Sequence, residues 1–333
     1  MKVTVLGAGY MGSAMAEVAA MRGHDVRLWG TWLDDAMLAP VLAGEAHPRL
    51  KKKLDPGIRA FRSDALAKAL AGAELVIHCV SSDGLVPVMT KAAEHLPDVP
   101  VLSVTKGFLP GIGGKMNRID VIASEIAGRP LRWVHAAGPA KAIEIARRVL
   151  TWMTFASARL EDAEACKAAM GGEHVRVSAT DDITGAEIAS AMKNAYATGL
   201  GLWDGFVGAD CHNARAACFQ QAVVEMSRLA VAGGGRVETV LGAAGVGDLH
   251  VTAAAGRNRA FGERVGKGKP AKEVAAEMLA SGELTEGYPA IASAWRWAGE
   301  HQVTDLPLLA ALHAIVWEGK DVGTTLAQLQ LST

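Results

Sequence analysis

Six residues near the N-terminus have the types and spacing needed to hold phosphate groups. They are Gly7-Ala8-Gly9-Tyr10-Met11-Gly12, and they directly follow the apolar run Val3–Leu6. In a GxGxxG turn the first glycine permits a sharp bend, the second lets a pyrophosphate approach the backbone, and the third lets the next helix pack closely on the strand. The amides at the start of that helix add hydrogen-bond donors and a partial positive charge.

With 37 glycines in 333 residues, the GxGxxG spacing alone is a weak signal. The order strand, turn, helix and second strand is what makes it informative. The turn therefore predicts dinucleotide binding rather than a purely structural bend. The cofactor-binding residues expected in it are Gly7, Gly9, Tyr10, Met11 and Gly12.

The end of the second predicted strand, Asp25–Trp29, bears on the choice of cofactor. An acidic residue is expected there to hold the ribose 2′-hydroxyl group of NAD, or an arginine to hold the 2′-phosphate of NADP. Gly30 and Thr31 stand at this point, whereas Asp34 and Asp35 follow slightly too far along the chain. A nicotinamide dinucleotide is expected, with NAD preferred because no basic group follows the strand directly, and with NADP left open.

Three segments in the second half of the chain carry side chains suited to proton transfer and phosphate binding. They read EIASAMKN over Glu187–Asn194, GVGDLHVT over Gly245–Thr252 and GRNR over Gly256–Arg259. A lysine on a buried helix, such as Lys193, can exchange a proton with a substrate oxygen. An arginine beside an asparagine near helix-terminal amides suits a phosphate dianion. Taken singly, each feature also has an ordinary explanation as a solvated lysine, a helix-capping aspartate or a surface arginine.

The elements that must position these residues divide the chain in two. Up to Ile183, short apolar runs such as Leu75–Val80 and Val101–Val104 alternate with helical stretches, which is typical of a parallel α/β sheet. From Thr184 onward the periodicity is helical, with Gly and Pro between the helices and few strand candidates. The predicted fold class is α/β, with an N-terminal Rossmann-type doubly wound parallel sheet over residues 1–183 and an all-helical C-terminal domain over residues 184–333.

Composition excludes several classes of function. Lys plus Arg total 34 and Asp plus Glu total 35, a formal charge of -1, so a dominant nucleic-acid or anionic-membrane surface is not expected. No uncharged apolar run reaches about 18 residues, so no membrane span is expected. The four cysteines (Cys79, Cys166, Cys211 and Cys218) form no CxxC pair and no cluster with zinc spacing, so no metal site is predicted. Unpaired thiols are typical of a reducing compartment, and a cytoplasmic location is expected.

The turn, the three segments and several further motifs together carry a resemblance to a known family. The further motifs are CVSS at Cys79–Ser82, Thr105-Lys106-Gly107, AGPA at Ala137–Ala140 with Glu144 after it, NARAA at Asn213–Ala217, and Glu225-Met226. With them the chain resembles NAD(P)-dependent glycerol-3-phosphate dehydrogenase over nearly its whole length. The most specific part is MKN together with GDL, the following Thr252, and GRN.

The resemblance implies hydride transfer between a nicotinamide cofactor and a small phosphorylated substrate, interconverting sn-glycerol 3-phosphate and dihydroxyacetone phosphate. Lys193 would be the general acid/base, with Asp248 and Lys106 as electrostatic neighbours. The phosphate and hydroxyl groups of the substrate would be held by Asn194, Thr252, Arg257 and Asn258. Lys106, Arg257 and Glu286 would also contact the cofactor. A homodimer and a role in glycerophospholipid metabolism are further expectations.

The chain departs from the family's usual pattern at a few positions. Ala137 stands where serine is usual, Lys141 replaces an often aromatic residue, and Phe219–Gln221 replaces TRG. These departures bear on which polyol phosphate is used rather than on the reaction. Two alternatives stay open. One is a related dehydrogenase of another phosphorylated polyol or hydroxy acid. The other is a non-catalytic dinucleotide-binding sensor, against which the retained proton-transfer and phosphate-binding residues argue.

Overall fold

The computed structural model describes residues 1–254 and 256–331, which form two compact units. The first unit comprises Met1–Lys106 and Ile119–Ile183, and the second comprises Gly107–Arg118 and the described residues from Thr184 onward. The chain passes from the first unit to the second at residues 107 and 184, and residues 107–118 therefore lie outside the first unit although they fall within the predicted range 1–183. Among the described residues, no helix combines the length and the apolar character needed to cross a bilayer.

The described residues form ten strands and sixteen α-helices. The strands are β1 (Lys2–Leu6), β2 (Asp25–Trp29), β3 (Arg59–Phe61), β4 (Leu75–His78), β5 (Val101–Ser103), β6 (Phe108–Pro110), β7 (Met116–Arg118), β8 (Trp133–Ala137), β9 (Thr151–Ala156) and β10 (Val175–Thr180). The α-helices are α1 (Tyr10–Met21), α2 (Asp35–Leu42), α3 (Leu66–Leu70), α4 (Ser82–Ala92), α5 (Ile119–Ala127), α6 (Ala142–Ala146), α7 (Leu160–Met170), α8 (Ile183–Phe206), α9 (His212–Ala232), α10 (Val237–Leu241), α11 (Asp248–Ala254), α12 (Arg257–Gly266), α13 (Ala271–Ala280), α14 (Gly287–Glu300), α15 (Pro307–Val316) and α16 (Val322–Ala327). A 3₁₀ turn spans Ser63–Ala65 and a π-helical turn spans Ala243–Gly247.

Eight strands of the first unit form one sheet in the order β10-β9-β8-β5-β4-β1-β2-β3. Neighbouring strands are parallel except β8 and β9, which run antiparallel with His135 opposite Ala156. The strand order reverses between β1 and β4, which is the switch point at which doubly wound sheets bind their ligands. The expected Rossmann-type sheet is confirmed, with one antiparallel pair that the sequence pattern did not indicate.

Strand β1 shows why the middle of the sheet is buried. Val3 and Val5 lie on one face of the strand, and Thr4 and Leu6 lie on the other, because side chains alternate along a strand. All four side chains are fully buried. Both faces of β1 are therefore covered, and the strand delivers the glycine-rich turn from a rigid position.

Strands β6 and β7 form an antiparallel hairpin that belongs to the second unit. Phe108 stacks on Trp297 of α14 with ring centroids 5.1 Å apart, and the Met116 amide donates a hydrogen bond to Glu300 Oε2 at 2.7 Å. Phe108 and Met116 are part of the hydrophobic core of this unit. The expected all-helical domain thus also contains a hairpin from earlier in the chain, because these contacts attach it to α14.

A buried carboxylate links three helices of the second unit. Glu225 on α9 is fully buried and accepts hydrogen bonds from the Tyr196 hydroxyl at 2.9 Å and from Gln221 Nε2 at 2.9 Å. It also accepts from the amides of Leu308 at 2.6 Å and Leu309 at 2.9 Å. Buried polar groups need such partners. Glu225 therefore ties α8 and α9 to the start of α15.

Helices α8 and α12 touch backbone to backbone through glycines. A methyl group added at Gly201 of α8 would lie 2.1 Å from the Arg259 carbonyl oxygen, and one at Gly205 would lie 2.1 Å from that of Glu263. One added at Gly262 of α12 would lie 2.1 Å from the Thr198 carbonyl oxygen. The glycines therefore set the distance between two helices that both carry candidate site residues.

Candidate active site

The glycine-rich turn of the first unit has the geometry that a pyrophosphate requires. Gly7 has a φ of +106°, and a methyl group added there would lie 2.5 Å from the Cys79 carbonyl oxygen. A methyl group on Gly12 would lie 1.9 Å from the Gly7 oxygen. A methyl group added at Gly9, the N-cap of α1, would have no neighbouring atom closer than 4.0 Å. No side chain caps this helix. The turn is therefore closed by Gly7 and Gly12 and open at Gly9, which leaves the first amides of α1, from Tyr10 and Met11 onward, to a phosphate group.

Asp34 reaches the same turn, although from the sequence it stands slightly too far along the chain to do so. Its Oδ2 accepts hydrogen bonds from the Ala8 amide at 3.1 Å, the Thr31 amide at 2.8 Å and the Thr31 hydroxyl at 2.9 Å. The chain folds back after Thr31, which brings the carboxylate beside the glycines. Asp34, five residues after the end of β2, thus places a carboxylate beside the glycine-rich turn.

His47 is a residue of this region that sequence reasoning missed. Its Nδ1 accepts a hydrogen bond from the Leu50 amide at 3.2 Å, so Nε2 carries the proton and donates to the Ala8 carbonyl oxygen at 3.2 Å. Burial lowers the pKa of the imidazole, and the nearby Arg49 lowers it further. The neutral ring therefore holds the His47–Leu50 segment against the glycine-rich turn.

Lys106 follows β5 in a segment that a second small network holds in place. The Thr105 hydroxyl donates to the Val80 carbonyl oxygen at 2.7 Å, so it accepts from His78 Nδ1 at 3.1 Å. His78 is fully buried, and burial lowers its pKa to about 3, which keeps the ring neutral. The carboxyl ends of β4 and β5 are thereby joined just before Lys106, which is itself half-buried.

The second unit brings Lys193 and Asp248 together. The Lys193 ammonium group donates to Asp248 Oδ1 at 2.6 Å, and the two side chains are 13% and 2% exposed. Asp248 begins α11, and the Thr252 hydroxyl donates to its carbonyl oxygen at 2.7 Å. A short, largely buried ion pair of this kind holds the ammonium group in one position.

A line of amide hydrogen bonds runs beside this pair. Asn258 Nδ2 donates to Asn194 Oδ1 at 2.9 Å, and Asn194 Nδ2 donates to Glu286 Oε2 at 3.0 Å. The Gly287 amide at the start of α14 donates to Asn258 Oδ1 at 2.9 Å. Three predicted site residues, from α8, α12 and the start of α14, therefore lie in one network although they are up to 92 residues apart.

Arg257 is the first residue of α12 and is exposed. Its neighbour Asn258 is 7% exposed and faces the network described above. No side chain caps α12, whose N-cap is Gly256. The guanidinium group and the first amides of the helix together offer a phosphate dianion both charge and directed donors.

The departures from the family's pattern occupy different surroundings. Ala137 is buried on β8, and Lys141 is the N-cap residue of α6. Gln221 is a partner of Glu225 in the core. Phe219 contacts the ring of His250 edge-on, with centroids 6.2 Å apart, and His250 itself is exposed. Through His250, Phe219 contacts α11, the helix that Asp248 begins.

Comparison with known proteins gives the same picture over the whole chain. The N-terminal model of the NAD-dependent glycerol-3-phosphate dehydrogenase family matches residues 2–163, and its C-terminal model matches residues 182–327. The NADP(+)-dependent glycerol-3-phosphate dehydrogenase of Archaeoglobus fulgidus is 34% identical over 99% of this chain and 99% of its own. The glycerol-3-phosphate dehydrogenase [NAD(P)+] of Thiobacillus denitrificans is 35% identical over 96% and 94%.

Solved structures agree with the sequence relatives. The crystal structure of glycerol-3-phosphate dehydrogenase from Coxiella burnetii superposes with a TM-score of 0.86, at 28% identity and over 98% of both chains. Two family models that account for most of the chain, and relatives that are 34% and 35% identical over nearly all of it, show that the chain belongs to the NAD-dependent glycerol-3-phosphate dehydrogenase family.

Proposed function

We propose that this protein interconverts sn-glycerol 3-phosphate and dihydroxyacetone phosphate with NAD(P)(H), using Lys193 as the general acid and base. The observation that carries the proposal is the 2.6 Å contact between Lys193 and the buried Asp248. It provides a fixed proton donor beside polar groups suited to a phosphorylated polyol. The names of the relatives support the substrate and the reaction.

Proton transfer is the step that Lys193 performs. Reduction of a ketone places negative charge on its oxygen, and an acid positioned beside that oxygen must neutralise the charge as it forms. The Lys193 ammonium group is such an acid, and Asp248 holds it in place. In the oxidation direction the neutral amine accepts the hydroxyl proton. Lys106 is proposed as a further positive charge that stabilises the developing oxyanion.

The phosphate group of the substrate is assigned to the start of α12. Arg257 supplies two parallel donors, and Asn258 and the first amides of the helix supply the rest. Asn194 and Thr252 are proposed to hold the hydroxyl groups of the substrate. Because Asn194 already exchanges hydrogen bonds with Asn258 and Glu286, its orientation is set before the substrate binds.

The cofactor supplies the hydride when bound, and the residues present fit it. The open backbone at Gly9 and the uncapped start of α1 would receive the pyrophosphate. Lys106, Arg257 and Glu286 are proposed to contact the cofactor as well, which the family resemblance implies.

NADP(H) is proposed as a cofactor alongside NAD(H). A preference for NAD follows from the lack of a basic residue directly after β2, and Asp34 beside the turn favours a 2′-hydroxyl group. However, His47 holds its segment on the turn, and Arg49 lies close enough to affect the pKa of His47. The A. fulgidus relative is named as NADP(+)-dependent. Arg49 is therefore the candidate cation for a 2′-phosphate.

Steady-state kinetics with both cofactors tests this assignment. Arg49→Ala should raise the KM for NADPH much more than the KM for NADH. The control is Arg62→Ala, which removes an exposed arginine of the same unit that pairs with Asp35 at 3.7 Å. An equal effect of Arg49→Ala on both cofactors would remove Arg49 from the 2′-phosphate site.

A substrate panel tests the reaction itself. Oxidation of NADH or NADPH is followed with dihydroxyacetone phosphate, unphosphorylated dihydroxyacetone, and other phosphorylated ketoses and keto acids. Dihydroxyacetone phosphate should give the highest kcat/KM. A higher value with another phosphorylated compound would support the related-dehydrogenase alternative, and tight cofactor binding without turnover of any compound would support the sensor.

Location and assembly are part of the same proposal. The four cysteines are buried and unpaired, which agrees with a reducing cytoplasm, and the product would serve as a backbone for glycerophospholipids. Trp152 is 54% exposed beside the exposed Val149 and Leu150, which supports association into a homodimer. Cell fractionation and light scattering would test these two points.

A further inference from the structure

Arg259, the last residue of the GRNR segment and one to which no role has been assigned, makes three directed contacts just after the proposed phosphate-binding residues. It lies on α12, two residues beyond Arg257. Its Nη1 donates to the carbonyl oxygens of Ala253 at 3.1 Å and Ala254 at 2.9 Å. These residues end α11, and terminal helix carbonyls have no partner within their own helix. Arg259 thereby connects the end of α11 to the first turn of α12.

Asp204 on α8 holds the Arg259 guanidinium group from the other side. Arg259 Nε donates to Asp204 Oδ2 at 2.6 Å, and Arg215 Nη1 of α9 donates to Asp204 Oδ1 at 2.8 Å. The Asp204 side chain is 5% exposed. Burial alone would raise the pKa of this carboxyl group, but the hydrogen bonds from Arg259 and Arg215 outweigh burial and lower it. Asp204 is therefore an ionised anchor.

The backbone at Arg259 is fixed as firmly as its side chain. A methyl group added to Gly201 of α8 would lie only 2.1 Å from the Arg259 carbonyl oxygen, so the two backbones are in direct contact here. Side chain and backbone thus both attach this turn of α12 to α8. Arg257 and Asn258 precede it directly, so their positions depend on the same attachment.

We propose that Arg259 and Asp204 are positioning residues for the substrate's phosphate: they attach the start of α12 to α8 and to the end of α11, and so place Arg257 and Asn258. The inference rests on the proposed function, since it assumes that these two residues bind the phosphate. Lysine cannot replace Arg259, because one ammonium group cannot match the planar fork that reaches a carboxylate and two carbonyl groups at once.

The test compares Arg259→Lys with Arg264→Ala. Arg264 lies on the same helix and forms an ion pair with Glu277 on the surface, so its removal controls for loss of charge from α12. Two quantities are measured: the binding of inorganic phosphate by ³¹P NMR titration, and the kcat and KM for dihydroxyacetone phosphate. Melting temperature and the KM for NAD(P)H are recorded for each variant.

We expect Arg259→Lys to raise both the Kd of inorganic phosphate and the KM for dihydroxyacetone phosphate by about 10–100-fold, because small displacements of binding groups have effects of this size. The KM for NAD(P)H should rise far less than the phosphate Kd, because Arg257 is only one of several proposed cofactor contacts. All values for Arg264→Ala should be unchanged. Asp204→Asn should act in the same direction. The effects of the two substitutions on the phosphate Kd should be less than additive in the double variant, because both remove the contact between Arg259 and Asp204.

An unchanged phosphate Kd in Arg259→Lys would overturn the inference. So would a variant that binds phosphate and NAD(P)H equally poorly and also has a lower melting temperature, because that result would indicate a general structural role. The phosphate titration needs no turnover. Suppose that the wild-type protein fails to reduce dihydroxyacetone phosphate but the Arg259→Lys variant still binds inorganic phosphate more weakly than the wild type. That result would contradict the proposed function and leave the positioning role intact.

Discussion

Replacing Lys193 by methionine is the most direct test of the proposed chemistry. The substitution keeps the length and apolar stem of the side chain but removes the proton. General acid catalysis is typically worth about 10²–10⁴-fold, so kcat for ketone reduction should fall by that factor. The corresponding rise in the activation free energy is about 2.7–5.4 kcal/mol, since each tenfold change is about 1.36 kcal/mol. Lys193→Arg should not restore activity, because arginine does not give up its proton near neutral pH.

The same substitution has a cost in stability that must be separated from the loss of catalysis. Asp248 is 2% exposed and is paired with Lys193 at 2.6 Å, so methionine leaves a buried carboxylate without this partner. Breaking a buried pair in this way costs about 3–5 kcal/mol of folding free energy. The double variant Lys193→Met/Asp248→Asn removes the charge as well. It should recover most of the melting temperature and none of the kcat.

The assay follows oxidation of NADH or NADPH under saturating cofactor, with a deuterated cofactor to show that hydride transfer limits the rate. NAD(P)H affinity is measured separately and should stay near the wild-type value. If Lys193→Met retained most of the wild-type kcat while a full deuteride isotope effect was observed, Lys193 would not be the acid. Lys106 and His250 would be the next residues to replace.

Three further outcomes follow from the geometry. Gly9→Val should weaken NADH and NADPH binding strongly without lowering the melting temperature, because the added side chain occupies open space above the turn; unchanged affinity by fluorescence titration would contradict the cofactor site. Under saturating cofactor, Arg257→Lys should lower kcat/KM for dihydroxyacetone phosphate by an amount equivalent to about 1.5–3 kcal/mol and should affect unphosphorylated dihydroxyacetone much less. A parallel loss on both substrates would argue against a phosphate contact. Gly201→Ala should lower both the melting temperature and kcat/KM, because the added methyl group would clash with the Arg259 carbonyl oxygen. The control Gly299→Ala, whose methyl group would have no neighbour within 4 Å, should change neither value in thermal melts and kinetics, and equal effects of the two variants would contradict this reasoning.

Local signals were enough to predict the first half of the sheet. β1, the turn and β2 each have a pattern contained within a few residues, and β2 has the predicted bounds, Asp25–Trp29. β9 and β10 were not predicted. Thr151–Ala156 has no regular alternation, whereas Val175–Thr180 does alternate apolar and polar residues, the pattern of a half-buried strand, and could have been recognised. The two strands pair with each other in parallel. The hairpin of β6 and β7 was missed for a different reason. Its contacts with Trp297 and Glu300 lie more than 180 residues away in the chain.

The candidate site residues could be predicted where they belong to a motif that the chain shares with the family. Lys193, Asp248 and Asn258 could be named from motifs, and the structure brings Lys193 to Asp248 and Asn258 to Asn194. His47 and Arg259 could not be named, since a histidine in a loop and a second arginine after GRN resemble ordinary surface residues. Their roles depend on which carbonyl oxygens the fold places beside them, and that information lies in the tertiary contacts.

The glycines of the chain both weaken the cofactor motif as a sequence signal and shape the candidate site. Thirty-seven glycines made GxGxxG a weak signal when counted over the whole sequence. In the structure, Gly201, Gly205 and Gly262 lie at the contact between α8 and α12, where the added methyl groups would fall 2.1 Å from carbonyl oxygens of the opposite helix. Lys193 and Asn194 are on one of these helices and Asn258 is on the other, so the 2.9 Å hydrogen bond between the two asparagines requires the close crossing. Three of the glycines that weaken the cofactor motif as a signal are thus the ones that bring the proposed substrate-binding side chains within reach of each other.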